Sequence, residues 1–322
     1  VRPLSRRDES ARAEDGVQGR RGYGSTRGGE RDGLDWSAVD TTWLLPSPAP
    51  GATPRRVLTI AGTDSGGGAG IQADSRTFAL CGVHACVAVA AVTVQNTVGV
   101  SDFHEIPPEV VAAQVRSVVT DIGIGAAKTG MLASAAIIGA VADVCDELGI
   151  GRGHDIPLVV DPVCASMHGS ALLRPDGLAA LRETLIPRAT VVTPNLDEVR
   201  LLTGIDVVDE GTARQAADVL HGLGAQWVVI KGGHLRGSTS STDLLSDGTT
   251  VFDLPAQRVD TGNDHGAGDT LAAATVAALA HGATVPEALT FAKRWIDLSL
   301  RASYDLGHGH GPVSPLWRLS VH

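Results

Sequence analysis

Aromatic residues make up only 3% of this 322-residue chain, and no stripe of Lys and Arg interleaved with aromatics is visible in its apolar part. A nucleic-acid partner is therefore not expected. Cysteine is sparse as well: Cys81, Cys86, Cys145 and Cys164 form no C-x-x-C pair and no His spacing that closes a zinc site. They read as small buried packing residues in a reducing compartment, which points to the cytoplasm. Long apolar runs are missing too. The stretch around 87–94 is only strand-sized, so no membrane span is expected. The net charge of -10 comes from scattered acids rather than one acidic block. What is present is a 43% hydrophobic composition, enough to bury a substantial α/β core.

Residues 1–54 contrast with everything after them. Arg, Gly, Asp, Glu and Ser dominate, apolar periodicity is absent, and Pro46, Pro48, Pro50 and Pro54 close the stretch. Such a composition cannot bury enough surface to offset its ordering entropy, so a disordered tail is expected over 1–54. Trp36, Trp43, Leu44 and Leu45 are the residues able to dock it. No apolar segment of the kind a secretory signal carries is seen there.

From residue 55 to 322 short apolar runs alternate with helical patterns, the signature of βαβ units in one domain. Strands are expected at 57–61, 87–94, 126–130, 158–161, 190–193 and 227–231. Helices are expected near 70–80, 108–120, 134–148, 176–185, 197–202, 210–223, 268–281 and 286–304. A hairpin is expected over 244–246 and 250–254, because Asp247-Gly248 favours a tight primed turn. The result is a three-layer α/β arrangement, a mostly parallel central sheet with helices on both faces.

Ligands of such sheets sit beyond the carboxyl ends of the strands. Asp64, Gln95, Met131, Asp161, Asn195, Lys231 and Asp269 all fall at those ends or at the start of the next helix. The organising stretch is Thr261–Thr270, TGNDHGAGDT, ahead of an Ala-rich run. Gly266, Ala267 and Gly268 leave little bulk where a helix begins, so backbone N–H groups can converge on an anion at the positive end of the helix dipole. Asp269 in the same turn can accept a proton from a substrate hydroxyl. The plainer alternative is a Gly-rich loop with an Asp helix cap. The turn at 66–70, GGGAG, matches neither the Walker A pattern nor the dinucleotide fingerprint, and suits backbone approach to a small flat ligand with Asp64 and Asp74 as polar contacts. Gln95 can pair with one edge of a heteroaromatic ring. Asp161 and the Thr193-Pro194-Asn195-Leu196-Asp197-Glu198 stretch offer oxygen ligands that suit a Mg-nucleotide better than a closed cage, although the second also reads as a helix cap. Lys231, followed by Gly232 and Gly233, can meet a phosphate as a point charge.

In series, the stretches 61–74 (AGTDSGGGAGIQAD), 94–97 (VQNT), 128–131 (KTGM), 160–163 (VDPV), 193–198 (TPNLDE) and 231–234 (KGGH) resemble the hydroxymethylpyrimidine/phosphomethylpyrimidine kinases of thiamine biosynthesis. These are members of the ribokinase-like superfamily, and the resemblance runs from about residue 56 to 320. It implies a ribokinase-like fold and an ATP- and Mg2+-dependent kinase, a homodimer, acting on 4-amino-5-hydroxymethyl-2-methylpyrimidine and then on its monophosphate. It also implies that Gln95, Gly62, Asp74 and Met131 contact the pyrimidine. Thr193, Asn195, Lys231 and Gly233 would lie near ATP, Asp161 and Glu198 near Mg2+, and Gly266, Ala267 and Gly268 in an anion hole beside the base Asp269. Many bacterial relatives carry Cys where this chain has Asp269, while Asp is the usual base elsewhere in the superfamily. The alternatives of a pyridoxal kinase and of a catalytically idle pyrimidine-binding sensor share the same fold.

Overall fold

The computed structural model describes residues 35–165, 172–232 and 241–321. The first strand, β1 (Arg56–Gly62), shows why the sheet forms: Val57, Leu58, Ile60 and Ala61 are wholly buried, as expected of a strand covered on both faces. Around it lie β2 (His84–Asn96), β3 (Gly99–Glu105), β4 (Ala126–Thr129), β5 (Leu158–Val160), β6 (Val191–Val192), β7 (Trp227–Ile230), β8 (Asp243–Ser246) and β9 (Val251–Leu254). They make one nine-stranded sheet in the order β3-β2-β1-β4-β5-β6-β7-β8-β9. Strands β2, β1, β4, β5, β6 and β7 pair in parallel, while β3, β8 and β9 are antiparallel at the two edges.

Helices cover both faces. On one lie α2 (Pro108–Asp121), α3 (Ala135–Leu148), α4 (Pro175–Ala180), α5 (Leu196–Thr203) and α6 (Glu210–Gly222), over a core that includes Leu58 and Ile60. On the other lie α1 (Gly70–Leu80), α7 (Ala267–Ala280) and α8 (Val285–Arg301), over Val57 and Val159. The alternation of neighbouring β1 side chains between the two cores is the period of two of a strand. Helix α7 is buried at every residue from Thr270 to Ala278, which its small Ala side chains permit. Helix α8 covers it and is one-sided, with Ala288, Leu289, Ala292, Trp295 and Ile296 inward.

Two expectations need correction. The strand expected at 87–94 runs from His84 to Asn96 and turns back into β3, which the sequence pattern does not reveal. The tail is the second. Residues 1–34 lie outside the described residues, but from Trp36 the chain packs on the domain instead of remaining loose. Trp36 stacks on Trp317 at 6.3 Å, and Trp43 meets Phe291 at 5.4 Å and Trp317 at 6.2 Å. The Arg294 guanidinium lies 4.7 Å from the Trp43 ring centre. Aromatic area supplies the binding that a periodic apolar pattern would otherwise give.

Candidate active site

A cavity of about 510 Å³ opens at the carboxyl end of the parallel strands, lined at one end by Gly62, Gln95 and Met131 and at the other by Asp161, Asn195, Glu198 and Lys231. Between them stands the N-terminus of α7, with Gly266, Ala267, Gly268 and Asp269 on the wall. Residues scattered over the sequence are thus brought together at the strand ends. Thr193 and Asp74 are not on this wall: both are wholly buried behind it. Gly233 and His234 lie outside the described residues.

The start of α7 is shaped by two glycine loops in contact. Gly266 caps the helix with φ of +78°, and a Cβ on it would fall 2.0 Å from the Gly68 carbonyl oxygen. A Cβ on Gly68 would fall 2.3 Å from His265 Cδ2. Only glycine fits at either position. The Ala267 N–H donates to the Asp264 carbonyl at 3.0 Å, which turns it away from the anion-hole role expected of it. The N–H groups of Gly268 and Asp269 have no acceptor within the helix and sit at its positive end. A Cβ on Gly268 would lie 3.2 Å from Lys231 Nζ and 3.6 Å from Asp161 Oδ2, so this backbone directly adjoins the second cluster.

Asp269 is held from behind. Its Oδ1 accepts from Lys128 Nζ at 2.7 Å and its Oδ2 from the Gly70 N–H at 3.1 Å. Lys128, fully buried on β4, also donates to Asp74 Oδ1 at 2.7 Å, and Asp74 Oδ2 accepts from Thr59 Oγ1 at 2.6 Å. Burial opposes the Lys128 charge, but Asp269 and Asp74 outweigh it and hold the ammonium well above the usual lysine range. Burial likewise raises Asp269, yet Lys128 beside it brings the carboxyl below its ordinary value. Asp74 goes the other way: burial pushes it to about 7, with Lys128 opposing and the charge of Asp269 adding.

The second cluster joins β5, β6 and β7. Asp161 Oδ1 accepts from Lys231 Nζ at 3.0 Å and from Thr193 Oγ1 at 3.1 Å, which explains why Thr193 is hidden. Asn195 and Glu198 form a capping box at the start of α5: Asn195 Oδ1 accepts from the Glu198 N–H at 2.9 Å, and Glu198 Oε2 from the Asn195 N–H at 2.8 Å. The helix-cap alternative is therefore realised, while the same Glu198 carboxylate lies 4.0 Å from Lys231 Nζ and lines the cavity. Burial pushes Glu198 up to about 7, against the pull of Lys231 and with the push of Asp161. Among the described residues no group of three or more His, Cys, Asp or Glu is placed to hold a metal. Two carboxylates beside a lysine suit a cation that brings phosphate and water as its other ligands.

At the far end Asp64 organises the β1–α1 turn and makes no ligand-facing contact of the kind expected from the sequence. Its carboxylate accepts from the N–H groups of Gly66, Gly68 and Ala69, each at 2.8 Å, and from His265 Nε2 at 2.9 Å. Gln95 Nε2 lies 3.3 Å from the same His265 Nε2. An Nε2–H directed at Asp64 cannot also accept from an amide NH2, so this approach is a contact and the Gln95 amide can turn to a ligand. Sequence reasoning missed His265, Lys128 and the buried Lys293–Asp243 pair at 2.6 Å, which also lines the cavity. Lys128 and His265 lie inside quoted motifs, yet only the fold shows what they face. Cys164 lines the cavity too, its thiol pushed to about 12 by burial and by nearby Glu198 and Asp161, as an inert packing residue would be.

The family model described as phosphomethylpyrimidine kinase matches residues 64–314. A hydroxymethylpyrimidine/phosphomethylpyrimidine kinase of Mycobacterium tuberculosis is 63% identical over 276 residues, covering 86% of this chain and 99% of the relative. Among solved structures, an ADP complex of Bacillus subtilis pyridoxal kinase superposes with a TM-score of 0.75 at 37% identity, covering 82% of this chain and 98% of that one. A phosphomethylpyrimidine kinase from Clostridium difficile gives 0.67 at 33% identity, covering 76% and 99%.

Proposed function

The chain belongs to the phosphomethylpyrimidine kinase family, and from that membership we propose that it transfers the γ-phosphoryl group of ATP to 4-amino-5-hydroxymethyl-2-methylpyrimidine and then phosphorylates the monophosphate to the diphosphate, in thiamine biosynthesis. The observation that carries the reading is the Asp269 carboxylate on the cavity wall in the first turn of α7, beside the Gly268 backbone and braced by Lys128.

Asp269 takes the proton of the hydroxymethyl group as its oxygen attacks phosphorus. The N–H groups of Gly268 and Asp269 and the helix dipole stabilise the charge on the transferring oxygens. Lys231 adds a point charge on the nucleotide side, aimed by Asp161. Gln95 pairs with the polar edge of the aminopyrimidine while Gly62 and Met131 shape the apolar wall; a Cβ on Gly62 would stand 3.0 Å from Met131 Sδ. Asn195 faces the nucleotide, whereas Thr193 acts through Asp161 and Asp74 through Lys128. Asp161 and Glu198 would hold Mg2+, which when bound neutralises phosphate charge. In the second phosphorylation the acceptor is a phosphate with a second pKa of about 6, so a base matters less.

Release of ADP with the hydroxymethylpyrimidine, pyridoxal and ribose as separate acceptors tests the substrate; comparable turnover on pyridoxal overturns it in favour of the vitamin kinases that the fold also matches. No turnover on any acceptor leaves a pyrimidine sensor. Asp269→Asn tests the mechanism: phosphorylation of the alcohol should fall by roughly 10²–10⁴-fold, and that of the monophosphate by less.

The proposal includes a cytoplasmic homodimer. All four cysteines are free thiols, and among the described residues no helix is long and apolar enough to cross a membrane. Val92 and Val94, two apart on β2 and so on one face, are exposed, as is Val98 in the turn to β3. Sedimentation of a monomer at micromolar concentration would remove the dimer.

A further inference from the structure

We infer that Asp74 is a positioning residue for the base: together with Lys128 it forms a buried charge set behind Asp269 whose ionic balance keeps that carboxylate able to take a proton. The inference rests on the proposed role of Asp269. Geometry excludes a direct role for the other two. Asp74 and Lys128 have no accessible surface, whereas Asp269 reaches the cavity. One ammonium lies 2.7 Å from each of two carboxylates, so the set carries one unit of negative charge when all three are ionised. A single added proton makes it neutral.

That balance decides how good a base Asp269 is. A buried Lys128–Asp269 pair alone would already be neutral, and protonating the carboxylate would leave an uncompensated buried ammonium. With Asp74 present, the ammonium keeps a partner when Asp269 is protonated. The oxygen that receives the proton is Oδ2, because Oδ1 is held by Lys128 while Oδ2 accepts only the longer 3.1 Å bond from Gly70. In the step, the hydroxymethyl oxygen forms a bond to the γ-phosphorus as the bond from that phosphorus to the β–γ bridging oxygen breaks. The leaving electron pair stays on ADP, and the hydroxyl proton passes to Asp269.

The other charged or titratable groups acting on the set are Asp161 at the end of β5, His265 ahead of α7, Lys231 after β7 and Glu198 on α5. None of these comes between Lys128 and its two carboxylates. Thr59 on β1 supplies the remaining contact, donating to Asp74 Oδ2.

The test is single-turnover phosphoryl transfer by the full chain as a function of pH, with the alcohol and the monophosphate as separate acceptors. Asp74→Asn should slow transfer to the alcohol by roughly 10-fold, move its acid limb to lower pH and leave transfer to the monophosphate within about 2-fold. A merely structural defect would slow both acceptors alike without moving the limb, and that result overturns the inference, as does an unchanged rate and limb. Thr59→Val, which keeps the charge and shape but removes the hydrogen bond favouring ionised Asp74, should give the same pattern with a smaller amplitude. It stands as the test if Asp74→Asn does not fold. Asp269→Asn, run alongside, separates the two levels: if it leaves transfer to the alcohol intact, the base assignment itself falls; if it abolishes that step while both Asp74→Asn and Thr59→Val do nothing, only the inference falls.

Discussion

At the scale of single residues, burial with partners decides which polar groups can act and which only hold. Asp64 holds: four donors converge on one nearly inaccessible carboxylate. Burial pushes its pKa up, but His265 and the loop N–H groups outweigh that and leave it below the ordinary value. Asp64→Asn sets an NH2 donor against N–H donors, and is expected to cost roughly 2–4 kcal/mol in urea unfolding at pH 7. Because the folded pKa is depressed, this stabilisation is present above the unfolded value of about 4 and is lost as pH falls through the folded value. The gap between wild type and variant should therefore narrow in acid; a gap independent of pH would mean that packing, not charge, is involved. Gln95 acts instead. Its nearest side-chain oxygen partner, Thr93 Oγ1, is 3.4 Å away, so Gln95→Leu should change the fold little. It should weaken pyrimidine binding by about 1–3 kcal/mol with ATP affinity unchanged in calorimetric titrations. Equal loss of both ligands would remove the recognition role.

At the scale of elements, the β1–α1 turn meets the start of α7 through two glycines, the junction on which the proposed mechanism rests. Its two glycines differ physically. Gly266→Ala puts a Cβ against backbone at a positive φ, so it should lower stability by at least about 1–2 kcal/mol and abolish turnover together. Gly268→Ala meets the flexible end of Lys231, which can shift, so the melting temperature should move little while kcat falls as the methyl group crowds the phosphoryl position. A parallel loss of stability and kcat in both variants would argue against this difference. The helix start at GAGD was legible in the sequence, but its contact with the 66–70 turn was not: a Gly-rich loop with an Asp cap reads the same way, and only the fold brings Gly68 against Gly266. Strand β3 was not legible either: its Ser101, Asp102 and His104 are exposed, and only the pairing with β2 makes it a strand. The charge set behind Asp269 was half legible, since Lys128 stood in a quoted motif but nothing in its spacing says that it bridges Asp74 and Asp269.

At the scale of the whole molecule, the sheet gathers strand ends into one cavity, and the alternation of apolar runs with helical patterns was enough to foresee that. For residues 36–45 the sequence named the residues able to dock but did not decide whether they do, because two tryptophans and two leucines without a period look the same in a loose tail as in a strap. Their effect reaches the cavity through α8. Trp43 lies against Phe291 and Arg294 on that helix, while Lys293 and Ile296 from the same helix line the cavity. Removing the strap should therefore do more than expose apolar surface. A chain beginning at residue 51 is expected to melt several degrees below one beginning at residue 35, the loss of Trp36 and Trp43 packing being worth roughly 2–4 kcal/mol. Its KM for ATP should rise as α8 loosens, while Trp43→Ala in the longer chain should reproduce part of both changes. If the two chains melt together and share one KM, the aromatic contacts carry no stability, and the domain is complete without them.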